Sequence, residues 1–406
     1  MRVQNLKSLL LVGLDLVGLA RSARAAGFRV YAADYFGDYD LMKICEICRA
    51  IVDQKAGMSC GRFEDNFSPE KFIDLVKTVL KETSIDAILL SSGLDDSFEV
   101  LETLNELAPI LGNKPETFRK IRDESKFFRE LKRLNLPHPE TIVVESFEDA
   151  KRAAKDIGYP VIVKPSRGFA GIGIRKAANS NELKKCFEVA SFVDGKVIVQ
   201  EYIAGVNASI SFVSSTDEAK ILTVNEQLLG LKEVGQQEPF GFCGNIVPLA
   251  ISSETFQKCY EAVKKLSLHF RLLGSNGIDF VLSGEGKPYV IEVNPRFQAT
   301  IECVEQALGL NLVKLHVEAC LNGRLPNIPR KNDEYYVRLI LYSKNRVRVK
   351  DLTGLRWARD IPFPGVIIEE GEPICSVIAK ANGREQALKE VLDKAKLVYE
   401  SMTEPV

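Results

Sequence analysis

Short apolar runs alternate with amphipathic stretches through the first 115 or so residues, and that alternation limits what the chain can fold into. "SLLLVGL" is too short for a helix and has no polar face. "LARSARAAG" has helical spacing and ends at Gly27, and "FRVYAAD" is again apolar. "PEKFIDLVKTVLKE" repeats the helical period after Ser68-Pro69, and "IDAILLSSG" follows as another continuous apolar run. Strands that are apolar on both faces and joined through helices must lie parallel, with helices covering both sides of the sheet. An open parallel α/β domain over residues 1–115 is therefore expected. Gly13, Gly18 and Asp34 echo a dinucleotide fingerprint, but Asp15 stands where a glycine should let a pyrophosphate approach, so NAD is not expected here.

The pattern then changes twice. "LGNKPETFRKIRDESKFFRELKRLNLPHPET" reads as a loop, a basic helix and a proline break, which marks a domain joint between about residues 112 and 140. A second α+β domain over 116–325 is expected, with a lid subdomain at about 140–203. From 326 to 406, "YYVRLILYS", "DIPFPG", "EPICSVIAKA" and the helical "REQALKEVLDKAKLVYESM" predict a small C-terminal α+β domain.

Composition excludes several function classes. A formal net charge of −1 gives no electrostatic reason to expect nucleic acid or an anionic membrane as partner. No run of 18 apolar residues occurs, and Asp15 interrupts the one N-terminal stretch that resembles a signal peptide. Nine cysteines without framework spacing suit a reducing cytoplasm, and Cys45-x-x-Cys48 lacks the further ligands that zinc needs. The three histidines, His138, His269 and His316, stand beside no nucleophile, against a Ser-His or Cys-His hydrolase.

Three constellations carry chemistry. In "VIVKPSRGFAGIGI" a buried strand delivers Lys164 to a loop bearing Gly168, Gly171 and Gly173. Glycines let successive backbone N–H groups face an anion, and the lysine adds a point charge, so a phosphate-binding loop is expected. In "VIVQEYIAGV", Glu201, Tyr202 and Ile203 end a strand whose edge could pair with a purine. In "IDFVLSGEGKPYVIEVNPR" two strands flank a Glu285-Gly286 turn, so a symmetric hairpin sets Asp279 opposite Glu292. Like charges directly across a sheet destabilise it unless something sits between them. With Asn294 on the same face, two carboxylates and an amide oxygen make a hard-ligand site suited to magnesium and a phosphate-bearing substrate.

In this order the pieces resemble the ATP-grasp superfamily, and the resemblance covers nearly the whole chain. Its most specific match is "IEVNPR", supported by the hinge "VQEYIAGV" and the lid "VIVKP…G…GIG". The branch containing biotin carboxylase and carbamoyl-phosphate synthetase is the most similar. The resemblance implies that Lys126 and Lys164 contact ATP phosphates, while Gly168, Gly171 and Gly173 close over them. It implies that Glu201, Tyr202 and Ile203 hold adenine. Asn207 stands where the family often has a ribose-binding glutamate. Asp279, Glu292 and Asn294 would ligate two Mg2+ ions, with Mn2+ as a substitute, and Arg296 with Lys164 would stabilise charge during phosphoryl transfer. Homodimers are common in the family.

One departure bears on the reaction. Thr300 holds the place of the glutamate with which biotin carboxylase activates bicarbonate, Glu302 falls two residues late, and no biotin-acceptor "MKM" occurs. The expected activity is thus a cytoplasmic, ATP-dependent carboxylate–amine ligase acting through an acyl-phosphate on small-molecule substrates. The alternatives are a bicarbonate-dependent carboxylase and a non-catalytic ATP-binding regulatory module. "AADYFGDYD", with Asp34, Asp38 and Asp40, is a candidate wall for a cationic amine. The segment "EVGQQEPFGFCGNIVPL" is either a loop near the acceptor or a structural cover.

Overall fold

A computed structural model describes residues 6–60, 67–168, 170–193, 195–329 and 333–403. The amino-terminal sheet has four strands, Ile47–Ala50, Arg29–Asp34, Ser8–Gly13 and Ala87–Leu90 in spatial order, all parallel. Its central strand shows why the apolar run is continuous. Leu9 and Leu11 pack into one core with helix Val17–Ala25 and helices Ile301–Leu308 and Leu312–Asn322. Leu10 and Val12 point the other way, into a core with helices Lys71–Glu82 and Phe98–Leu107. Both faces are covered, as the missing polar alternation requires.

Residues 141–201 make a separate layer. Strands Thr141–Val144, Val197–Glu201, Val161–Pro165 and Arg175–Ala177 form an antiparallel sheet backed by helices Phe147–Ile157 and Ser180–Val193. The first of these helices starts where Ser146 Oγ accepts the Asp149 N–H at 3.1 Å, a side-chain cap for an otherwise unpaired donor.

The largest sheet has eight antiparallel strands. It runs from Pro288–Asn294 through Gly274–Ser283, Gly205–Ser214, Ala219–Leu229 and Phe242–Val247 to Tyr335–Tyr342, Pro373–Ala381 and Ala358–Arg359. Residues on either side of position 326 thus share one sheet, because Phe242–Val247 pairs with Tyr335–Tyr342. Helix Arg384–Glu400 covers its far end. No described helix is long and apolar enough to cross a membrane.

His316 joins helix Leu312–Asn322 to the sheet. Its Nδ1 accepts the Ser275 N–H at 2.8 Å, so Nε2 carries the proton and donates to the Leu111 carbonyl at 3.0 Å. Burial depresses its pKa from 6.5 to about 4, so the folded protein holds it neutral. The unfolded chain takes up this proton first as pH falls, so stability is full above about pH 6.5 and drains away towards pH 4. The loss reaches roughly 3 kcal/mol. Urea titrations of wild type and His316→Gln between pH 7.5 and 4.5 check this: the variant should show a shallower decline on the acid side.

Candidate active site

The hairpin of Gly274–Ser283 and Pro288–Asn294 does set Asp279 opposite Glu292, but by a different route from a symmetric turn. Phe280 pairs with Val290 while Asp279 pairs with Glu292, leaving Ile291 as one extra residue. This bulge resets the alternation. Val290 and Val293 face the core, whereas Ile291, Glu292 and Asn294 face a cleft. Without it Glu292 would share the face of Val290, since side chains alternate with period two.

The cleft has a volume of about 930 Å³ and is lined by all three layers. It gathers Lys164, Gly168, Gly171, Glu201, Tyr202, Ile203, Asn207, Asp279, Glu292, Asn294 and Arg296. Two of the expected residues lie elsewhere. Lys126 is turned outward on helix Glu124–Arg133, two-thirds exposed, with Nζ on Asp123 at 2.5 Å. Gly173 is not in the lining; a Cβ there would lie 3.1 Å from Val193 and 3.5 Å from Pro165.

A chain of polar contacts connects the polar row. Asn294 Nδ2 donates to Asp279 Oδ2 at 3.1 Å, and Gln227 Nε2 donates to Asp279 Oδ1 at 3.0 Å. Arg296 reaches Asn294 Oδ1 at 3.2 Å and Asp95 at 3.0 Å. Arg122, at the end of helix Pro115–Arg122, contacts Glu292, Asn294 Oδ1 at 3.1 Å and Asp95 at 3.1 Å. Burial alone would raise the Asp95 pKa, but Arg296 and Arg122 outweigh it and hold the carboxyl below its usual range. At Asp279 burial, then the charge of Glu292, outweighs Arg296, the Asn294 hydrogen bond and Arg122, and pushes its pKa up to about 7. On the opposite wall Lys164 Nζ lies 3.9 Å from Glu124, whose Oε2 is buried without a hydrogen-bond partner.

These residues fit a hard divalent cation. Two opposed carboxylates and an amide oxygen form an all-oxygen donor set, and the Glu124 oxygen on the opposite wall is buried without a hydrogen-bond partner.

The glycine loop is clasped from below. Glu238 accepts from Arg175 Nη2 at 2.8 Å and from the Gly173 N–H at 3.0 Å, and the Phe242 N–H donates to the Ala170 carbonyl at 2.9 Å. The segment 233–249 is thus partly a loop under the lid and partly the sheet strand Phe242–Val247. At the hinge, Glu201 Oε2 accepts the Glu140 N–H at 3.1 Å, and Lys176 Nζ sits 3.6 Å over the Tyr202 ring.

Residues 121–300 match the family described as the ATP-grasp domain. Residues 121–300 are an ATP-grasp domain. The chain is 27% identical to an uncharacterized protein of Methanocaldococcus jannaschii over 98% of its own length and 93% of that protein's. It is 30% identical to the carbamoyl phosphate synthase large chain of Pyrococcus furiosus over 66% of its length, and spans only 25% of that relative. The biotin carboxylase of Campylobacter jejuni, solved as a β,γ-ATP complex, superposes with a TM-score of 0.73 at 18% identity, covering 98% of this chain and 92% of that one. The fold of the whole chain is that of such ATP-grasp structures.

Sequence reasoning missed Arg122, Asp95, Asp96 and Gln227, all of which line the cleft of the ATP-grasp domain or bond to its acids. Asp95 and Asp96 had a readable signal, since they follow the carboxyl end of the parallel strand Ala87–Leu90, where ligand crevices form. Gln227 had none, because only strand pairing brings it to Asp279. Of the expected acidic wall, Asp38 alone lines the cleft, with Asp15, Asp360, Glu370 and Glu372. Asp34 is internal, accepting the Gly37 N–H at 2.7 Å, and Asp40 accepts from the Asp360 and Ile361 N–H groups at 3.2 and 3.0 Å. Asp15, at the would-be dinucleotide loop, is paired with Arg338 at 2.8 Å. Cys45 and Cys48 are free thiols, and burial raises both pKa values, that of Cys45 to about 12.

Proposed function

We propose that the protein is an ATP-dependent carboxylate–amine ligase that forms an amide through an acyl-phosphate. A substrate carboxylate oxygen attacks the γ-phosphorus of ATP, the bond to the β-phosphate oxygen breaks, and ADP leaves. The amine nitrogen then attacks the acyl carbon, phosphate departs and the nitrogen loses a proton. Mg2+ held by Asp279, Glu292 and Asn294 would neutralise phosphate charge. Lys164 lines the lid wall of the same cleft, and Arg296, bonded to Asn294, would stabilise charge on the acyl-phosphate oxygens. The glycine loop over Gly168 and Gly171 would exclude water from that intermediate.

One observation carries the choice of ligase over bicarbonate carboxylase. Neither residue near the family's bicarbonate-activating position is a free base. Thr300 is buried with its Oγ1 3.1 Å from Ser211 Oγ, and Glu302 is clamped by Arg359 at 2.6–3.0 Å, outside the cleft lining. The likeness to biotin carboxylase favours the carboxylase reading, so the test separates the two. ADP release and hydroxamate formation should be followed with ATP, Mg2+, hydroxylamine and pooled metabolic carboxylic acids, beside bicarbonate alone. An acid-dependent hydroxamate is expected, its mass naming the acid. ADP released with bicarbonate only would replace this reading with the carboxylase, and ATP binding without either product with the regulatory module. Glu370 and Glu372 line the same cleft, and such acids would suit an amine that carries positive charge.

A further inference from the structure

Arg122 sits on oxygen donors of the cation set. Its side chain is 11% exposed and its Nη groups rest on Glu292 and on Asn294 Oδ1, two of the three oxygen donors of the cation set. A lone pair that accepts from a guanidinium is not available to a metal ion, and the two cations repel each other. The two Nη groups are satisfied by Glu292, Asn294 and Asp95, but Nε is not. That Nε is buried without a hydrogen-bond partner, and the Asp96 carboxylate stands 3.9 Å from it. Asp95, 3.1 Å from Nη2, lies beside Asp96 in the chain.

We propose that Arg122 occupies the divalent-cation position at Glu292 and Asn294 and is displaced by the ion onto the Asp95–Asp96 pair. Arg122 is thereby a positioning residue. It neutralises Glu292 until a cation arrives, and it sets a threshold that the cation must overcome. This inference rests on the reading of Glu292 and Asn294 as metal ligands.

The probe is Mn2+ alone, titrated into the full chain without nucleotide and read from the electron paramagnetic resonance of the free ion. Removing the competitor in Arg122→Gln is expected to tighten Mn2+ binding by on the order of tenfold. Arg122→Lys, which keeps the charge but cannot reach both oxygens, should fall between, and it serves if the glutamine variant does not fold. Unchanged or weaker affinity, including none measurable in either protein, overturns the inference, because Arg122 would then be a pin that shapes Glu292. Glu292→Gln separates the two levels. If it leaves wild-type Mn2+ binding intact, the metal reading itself fails and takes the inference with it. If it abolishes binding while Arg122→Gln gives no tightening, only the displacement is wrong.

Discussion

Asp279→Asn is expected to melt at higher temperature than wild type and to have almost no activity. The fold holds the Asp279 carboxyl at a pKa of about 7 against 3.8 in a free chain, through burial and the facing Glu292. A folded-state pKa raised in this way costs stability, because the unfolded chain ionises more readily. The cost begins above about pH 4, grows until about pH 7 and is constant beyond. An amide carries no such cost. Its NH2 group would meet Gln227 Nε2 or Asn294 Nδ2, now donors to the aspartate, and a flip of the Gln227 amide restores a bond at little expense. A net gain of about 2 kcal/mol at pH 8 is reasonable after that rearrangement, and differential scanning calorimetry at pH 8 and pH 5 should show it shrink on the acid side. Turnover should fall by on the order of 10³, since an amide cannot supply a metal with the charge that phosphoryl transfer needs. A variant less stable at both pH values would mean that the carboxyl is a structural acceptor and not a site under charge stress.

The sequence carried much of this site because its chemistry is local. Asp279 and Glu292 sit in one hairpin, and the Lys164 strand runs straight into its glycine loop, so spacing was enough to group them. It failed where the determining contact is distant. Lys126 and Arg122 are four residues apart in one basic stretch, and charge pattern cannot tell which of them faces the cleft. The structure answers it through helix phase: Arg122 ends one helix pointing inward, whereas Lys126 lies on the outer side of the next. The Ile291 bulge was equally hidden. Strict alternation predicts the right partner for Glu292 and the face it shares with Asn294, but it sets Val290 on that face too, and only the observed register shows Val290 turned into the core. The apolar amino-terminal strands were legible because nothing but two-sided burial explains them. The joining of residues 335–342 to the central sheet was not, since strand order across a long connection leaves no mark in sequence.

Gly171→Val tests whether the lid must sit on the segment beneath it. Gly171 has φ of +80°, and a Cβ there would lie 2.0 Å from the Phe240 carbonyl oxygen. That atom belongs to a backbone held by the Phe242 N–H to Ala170 bond and by the Glu238 contacts with Arg175 and Gly173, so it cannot yield as a flexible side chain would. The loop must therefore lift by more than an ångström, away from the cleft it covers. A displacement of that size at a positioning element costs about 10²-fold in kcat/KM. The lid sheet has its own core around Val144, Val161, Val163 and Val199, so the melting temperature should change little. Faster hydrogen exchange confined to the loop around residues 170–175 should accompany the kinetic loss. Gly195→Val is the control, because a Cβ at Gly195 meets nothing within 4 Å. If both variants keep wild-type kcat/KM with ATP, the seated loop is a packing contact and the closure that protects an acyl-phosphate must come from elsewhere in the ATP-grasp domain.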